Sequence, residues 1–178
     1  LYDEMDSNTC KDTYDSKILK NINTKFFLFI GTIESRKNIE FVLDAFFKFK
    51  EKYKNNYKLI LAGKPGYGYK YFTKKVIESE YKNDVIFTGF ISSNDACLLY
   101  NNAAAYIFPS IYEGFGSPQL ECMVHHTPLI LSRIPTNLEI SKEYGLFFDL
   151  NNSDTLINQM KFIIEKKYNY IEKNIIAD

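Results

Sequence analysis

The chain has 178 residues, 46% of them hydrophobic and 25% charged, enough for one domain with a real core. Its 22 basic residues balance its 22 acidic ones, which argues against a nucleic-acid partner held by bulk charge. Cys10, Cys97 and Cys122 are odd in number and lack C-x-x-C spacing, so neither a disulfide framework nor a zinc site is indicated and a reduced, cytoplasmic setting is expected.

Residues 1–25 are polar and rich in Asp, Asn, Lys and Ser, and read as a linker or edge segment with no export signal or membrane-spanning run. Phe26-Phe27-Leu28-Phe29-Ile30 is a continuous apolar run stopping at Gly31, the pattern of a strand covered on both faces. Asn38 can cap a helix whose apolar positions Ile39, Val42, Leu43 and Phe46 follow helical spacing. Arg36 and Lys37 then stand ahead of a helix N-terminus at the carboxyl end of a strand, where open α/β sheets bind phosphates. A cation there opposes the helix dipole unless an anion is close.

The run 57–62 predicts a second strand, and a helix with alternating charge is predicted over 70–81. Between them Gly63, Gly66 and Gly68 match neither G-x-G-x-x-G nor a P-loop, so that turn is expected to be structural. Val85-Ile86-Phe87 predicts a third strand, followed by Gly89-Phe90-Ile91 and a helix begun by Ser93 or Asn94. The run 103–108 reads as a buried strand, and Pro118 opens the helix behind it.

The turn between that strand and helix, Ser110-Ile111-Tyr112-Glu113-Gly114-Phe115-Gly116-Ser117, ahead of Glu121, is the chain's ligand cradle by composition. Glycines let backbone N–H groups approach a ligand, and a helix N-terminus concentrates unpaired donors. Glu113 and Glu121 are expected to face one concave space, where carboxylates accept hydrogen bonds from hydroxyl groups, as sugar recognition requires. His125 and His126 lie at the far end of that helix and are expected to have no chemical role. Runs 128–131 and 146–148 predict two further strands, and Ser153 begins a helix carrying Leu156, Ile157, Met160, Ile163 and Ile164. Six strands alternating with helices predict a Rossmann-like, doubly wound parallel α/β sheet over 26–167, with a polar tail over 168–178.

Glu113 and Glu121, with seven residues between them and the lead-in Phe108-Pro109-Ser110-Ile111-Tyr112, resemble the E-x7-E signature of family 4 retaining glycosyltransferases of the GT-B fold. Gly31-Thr32-Ile33-Glu34-Ser35-Arg36-Lys37-Asn38 is similar to that family's second signature, although Thr32 stands where some members carry an arginine. The resemblance implies one half of a GT-B fold binding a nucleotide diphosphate sugar, GDP- or UDP-linked, with no metal or other cofactor. It implies that Lys37 and Arg36 neutralise the diphosphate and that Glu113 bonds sugar hydroxyls. Backbone N–H groups at Gly114, Phe115, Gly116 and Ser117 would hold the sugar or distal phosphate, Glu121 the ribose, and Gly89, Phe90 and Ile91 would border the base. It further implies a saccharide or lipid-linked acceptor in cell-surface polysaccharide synthesis at the inner face of a membrane, and an amino-terminal Rossmann-like domain that this chain does not contain. A non-catalytic nucleotide-sugar-binding module is the alternative expectation.

Overall fold

The computed structural model describes residues 22–114 and 116–165. The linker and tail expected at the two ends lie almost wholly outside them. Among the described residues, six strands form one parallel sheet: β1 (Phe26–Ile30), β2 (Lys58–Ala62), β3 (Val85–Gly89), β4 (Ala105–Phe108), β5 (Leu129–Ser132) and β6 (Gly145–Phe148). Their spatial order is β3-β2-β1-β4-β5-β6, so the chain order reverses between β1 and β4.

Within the same residues six helices cover the sheet: α1 (Ile39–Tyr53), α2 (Tyr69–Ile77), α3 (Ser93–Asn102), α4 (Ser117–Val124), α5 (Pro135–Ser141) and α6 (Ser153–Ile164). Strand β1 shows why its sequence is apolar without alternation. Phe27 and Phe29 join the cluster built with α1, α2 and α6, whereas Phe26 and Leu28 join the cluster built with α3 and α4. A pleated strand sends successive side chains to opposite faces, and here both faces are dry.

The carboxyl ends of β1, β2 and β3 are stitched to one another. Gly31 N–H donates to the Ala62 carbonyl at 2.9 Å, and Gly63 N–H donates to the Gly89 carbonyl at 2.8 Å. Gly63 has φ +139°, and a Cβ added there would lie 1.9 Å from the Gly31 carbonyl oxygen, so a side chain is excluded both by conformation and by space. Ile33 N–H donates to the Lys64 carbonyl and Ser35 N–H to the Tyr67 carbonyl, which ties the turn after β1 to the turn after β2. The glycines of that second turn therefore serve backbone packing, in line with the expectation for them.

Helix boundaries shift from the sequence expectations for local reasons. Helix α3 does begin at Ser93, as expected, and Ser92 caps it, its hydroxyl accepting from Asp95 N–H at 3.1 Å. Asn38 holds the cap position of α1 but in a left-handed conformation, with no side-chain capping bond. Helix α2 ends at Ile77, where the expected stretch ran to Tyr81. Helix α5 had no counterpart among the sequence expectations; Pro135 begins it.

The core also encloses a phenol and a thiol. Tyr106, fully buried, donates its hydroxyl to the Ile30 carbonyl at 2.9 Å, and burial pushes its phenol well above the ordinary range. Cys122 is buried and free, and burial raises its thiol, which suits packing rather than reactivity. Cys97 is disulfide-bonded, although the cysteine pattern indicated no disulfide framework, and Cys10 lies outside the described residues.

Candidate functional site

The strand order reverses between β1 and β4, and at such a point the loops leaving neighbouring strands part to opposite faces and open a crevice. The two stretches singled out in the sequence are the two that leave these strands. After β1 comes a short 3-10 turn, Ser35–Lys37, leading into α1; after β4 comes the glycine-bearing loop leading into α4.

The crevice brings two of the expected residues into direct contact. The Lys37 ammonium is bonded to Glu113 Oε1, and both side chains are largely buried, at 14% and 12% exposure. The same ammonium lies 5.6 Å from the centre of the Phe108 ring, at the end of β4. Arg36 goes elsewhere: its guanidinium bonds Glu34 Oε1 at 2.8 Å and is 55% exposed. Adjacent positions on the turn thus point apart, one into the crevice and one to its rim.

Around Glu113 the loop ends in Gly116 at φ +75°, directly before Ser117 begins α4, with Pro118 in its first turn. Gly116, at the cap position of that helix, has no side chain to cap its leading N–H groups. Gly114 has open space where a Cβ would stand. Phe115 lies outside the described residues. Glu121, one turn into α4, accepts a hydrogen bond from the Tyr100 hydroxyl of α3 at 2.8 Å. Burial, ahead of the neighbouring Tyr106, Cys122 and Glu121, holds the Tyr100 phenol well above its usual range, so it remains a donor.

Gly89 ends β3, which β2 separates from β1, and Phe90 and Ile91 follow it. Phe90 is 74% exposed, with the Lys64 ammonium 5.2 Å from its ring centre, while Ile91 packs onto the apolar cluster beneath α3. His125 stacks on Tyr100 with ring centres 5.4 Å apart, and its Nδ1 shares a hydrogen bond of 2.9 Å with Asn101. Burial first, and His126 second, lowers its pKa, so it is a packed ring at the end of α4.

The residues that hold the loop from behind were not found from sequence. Ser132 Oγ donates to the Ser110 carbonyl at 2.6 Å, and Thr136 Oγ1 donates to the Glu113 carbonyl at 3.0 Å. Asn137 Nδ2 donates to the Ser132 carbonyl at 2.8 Å, Gln119 Nε2 donates to Asn137 Oδ1 at 2.7 Å, and Ser141 Oγ donates to Gln119 Oε1 at 2.6 Å. Ser132, Asn137, Gln119 and Ser141 are fully buried, and their mutual bonds offset that burial. A Cβ on Gly116 would lie 2.4 Å from Gln119 Nε2, so the network sits immediately under the cradle. Its visible trace in the sequence is polar residues at Asn137 and Ser141, one helical turn apart, and that trace means little without the helix.

Residues 11–177 match the sequence model of the glycosyl transferases group 1 family. Over 163 residues the chain is 31% identical to O-antigen chain mannosyltransferase RfbU of Salmonella typhimurium, an alignment covering 88% of this chain and 45% of that protein. The fold is similar to that of HepE from Anabaena, solved in complex with UDP and glucose, at TM-score 0.76 and 20% identity, covering 91% of this chain and 46% of that one. It is also similar to the C-terminal domain of a glycosyl transferase group 1 family protein, LpcC, of Francisella tularensis, at TM-score 0.68 and 22% identity. That comparison covers 86% of this chain and 87% of the other. The chain therefore spans less than half the length of its Salmonella relative and nearly the whole of an isolated C-terminal domain. The parallel six-stranded sheet is the Rossmann-like fold seen in GT-B glycosyltransferases. With nearly all of its length inside the family match, the chain belongs to the glycosyl transferases group 1 family.

Proposed function

We propose that this chain is the donor-binding half of a retaining GT-B glycosyltransferase that takes a hexosyl group from a nucleotide diphosphate sugar to a saccharide or glycolipid acceptor. The observation that carries the reading is the meeting of Lys37, from the turn after β1, with Glu113, from the loop after β4, in the crevice where strand order reverses. A cation ahead of α1 is unfavourable without an anion; Glu113 supplies one in the structure, and in this reading the diphosphate takes its place. In this reading Arg36 gives up Glu34 to reach the diphosphate, while Glu113 bonds hydroxyls of the sugar. Gly114, Phe115, Gly116 and Ser117 offer backbone N–H groups to the sugar or distal phosphate. Glu121 accepts from the ribose hydroxyls beside its Tyr100 bond, and Gly89, Phe90 and Ile91 border the base.

The leaving diphosphate is stabilised by Lys37 and by the N–H groups at the start of α4, which needs no metal in this mechanism. The mannosyltransferase name of the Salmonella relative and the UDP and glucose held by the Anabaena protein support a hexosyl donor on a nucleotide and leave the pairing of base and sugar to experiment. The acceptor, a surface polysaccharide or glycolipid assembled at a cytoplasmic membrane face, would meet the donor under a second Rossmann-like domain. Calorimetric titration of the 178-residue chain with UDP, GDP and their sugar conjugates, with divalent metal chelated, tests the donor site. Saturable binding of at least one nucleoside diphosphate is expected. Flat titrations at millimolar ligand in a folded sample would remove the reading.

A further inference from the structure

Lys37 and Glu113 are assigned different parts of the donor, yet in the structure they are bonded to each other. Both are mostly shielded from water, and the Phe108 ring lies under the ammonium. A pair so placed is screened little by salt, and taking away one partner leaves the other charge desolvated without compensation. The backbone of Glu113 is also held, by Thr136 Oγ1 on its carbonyl, and Thr136 stands on the helix that Asn137 anchors to Ser132 and Gln119. The Glu113 backbone is thus held in place when Lys37 is drawn toward a ligand.

Resting on the donor-site reading above, we infer that the Lys37–Glu113 pair is an internal competitor that discriminates the sugar conjugate from the bare nucleoside diphosphate. A diphosphate alone draws Lys37 away and strands the Glu113 carboxylate. A nucleotide sugar draws Lys37 away and brings hydroxyl donors to Glu113 in the same event, so both ends of the broken pair are satisfied. The pair therefore weakens the product nucleotide more than the donor. After transfer, with the sugar gone, re-formation of the pair pushes the diphosphate out. Glu113 accordingly acts twice, as a sugar ligand and as the carboxylate that expels the product.

The test is calorimetry on the 178-residue chain with UDP, GDP, UDP-glucose and GDP-mannose. It compares wild type, Glu113→Gln, Glu113→Ala, Lys37→Ala and the double variant Lys37→Ala, Glu113→Gln, each checked for folding by its melting transition. Glu113→Gln and Glu113→Ala are expected to bind the diphosphate about tenfold or more tighter than wild type, because a largely buried ion pair no longer has to be broken, and to lose preference for its sugar conjugate. The double variant is expected to gain nothing over Lys37→Ala. If neither Glu113 variant binds the diphosphate more tightly while Lys37→Ala binds it less, the competitor is overturned and the donor site stands. If Lys37→Ala binds the diphosphate as wild type does, the phosphate assignment falls and the competitor with it.

Discussion

Lys37 and Arg36 are neighbours of the same charge, and their surroundings part them. Lys37 is buried against Phe108 and Glu113, where its charge acts in a low-dielectric crevice, whereas Arg36 is exposed and already paired with Glu34. Lys37→Ala should weaken nucleoside diphosphate binding by about 1.5–3 kcal/mol, the range of a charge-assisted contact, and leave the free nucleoside nearly unchanged. Calorimetry with UDP or GDP against uridine or guanosine separates the two, and equal losses would contradict the phosphate assignment. Glu121 is fixed by Tyr100 on a different helix and is assigned the ribose. Glu121→Gln should therefore weaken nucleoside and nucleoside diphosphate by similar factors in the same titrations, and a loss confined to the diphosphate would move that residue to another role.

Among the elements, the turns at the carboxyl ends of the strands carry the candidate site and pack closely against one another. Gly63 sits where a Cβ would run into the Gly31 carbonyl, so Gly63→Ala must push the turn after β1, the one that carries Lys37, out of place. A loss of about 3 kcal/mol or more in denaturant unfolding is expected, with weaker nucleotide binding in whatever remains folded. Helix α5 has a comparable duty on the other side of the crevice. Asn137→Ala leaves the Gln119 amide and the Ser132 carbonyl without their buried partner, which should cost about 2–3 kcal/mol in the same measurement. A variant as stable as wild type would show that the polar network is not what holds the Glu113 loop.

For the whole molecule, the proposed function makes one parallel sheet with an open crevice half of what sugar transfer requires. The reacting sugar needs an acceptor held against its anomeric carbon and water kept away from it, and an open crevice supplies neither. The 178-residue chain should consume no donor by itself, and turnover should appear when a second Rossmann-like domain, on a longer chain or a separate one, closes over Lys37 and Glu113. An assay of nucleotide release by the chain alone and by the longer form checks this. Equal rates would mean that the acceptor is bound within these 178 residues.

The sheet and its two signature turns were legible in the sequence because each rests on local rules. Phe26–Ile30 had to be a strand buried on both faces, Pro118 had to open a helix, and Gly31 to Asn38 and Glu113 to Glu121 carried their spacing intact. Side-chain partners 76 residues apart are not local, so the bond between Lys37 and Glu113 could be learned only once β1 and β4 lay side by side. The same holds for the separation of Arg36 from Lys37, because which of two adjacent side chains enters a crevice depends on how a turn is packed. Least legible were Gln119, Asn137 and Ser141: polar side chains read as surface in a sequence, and only the folded chain, by pairing them with one another, makes burying them favourable.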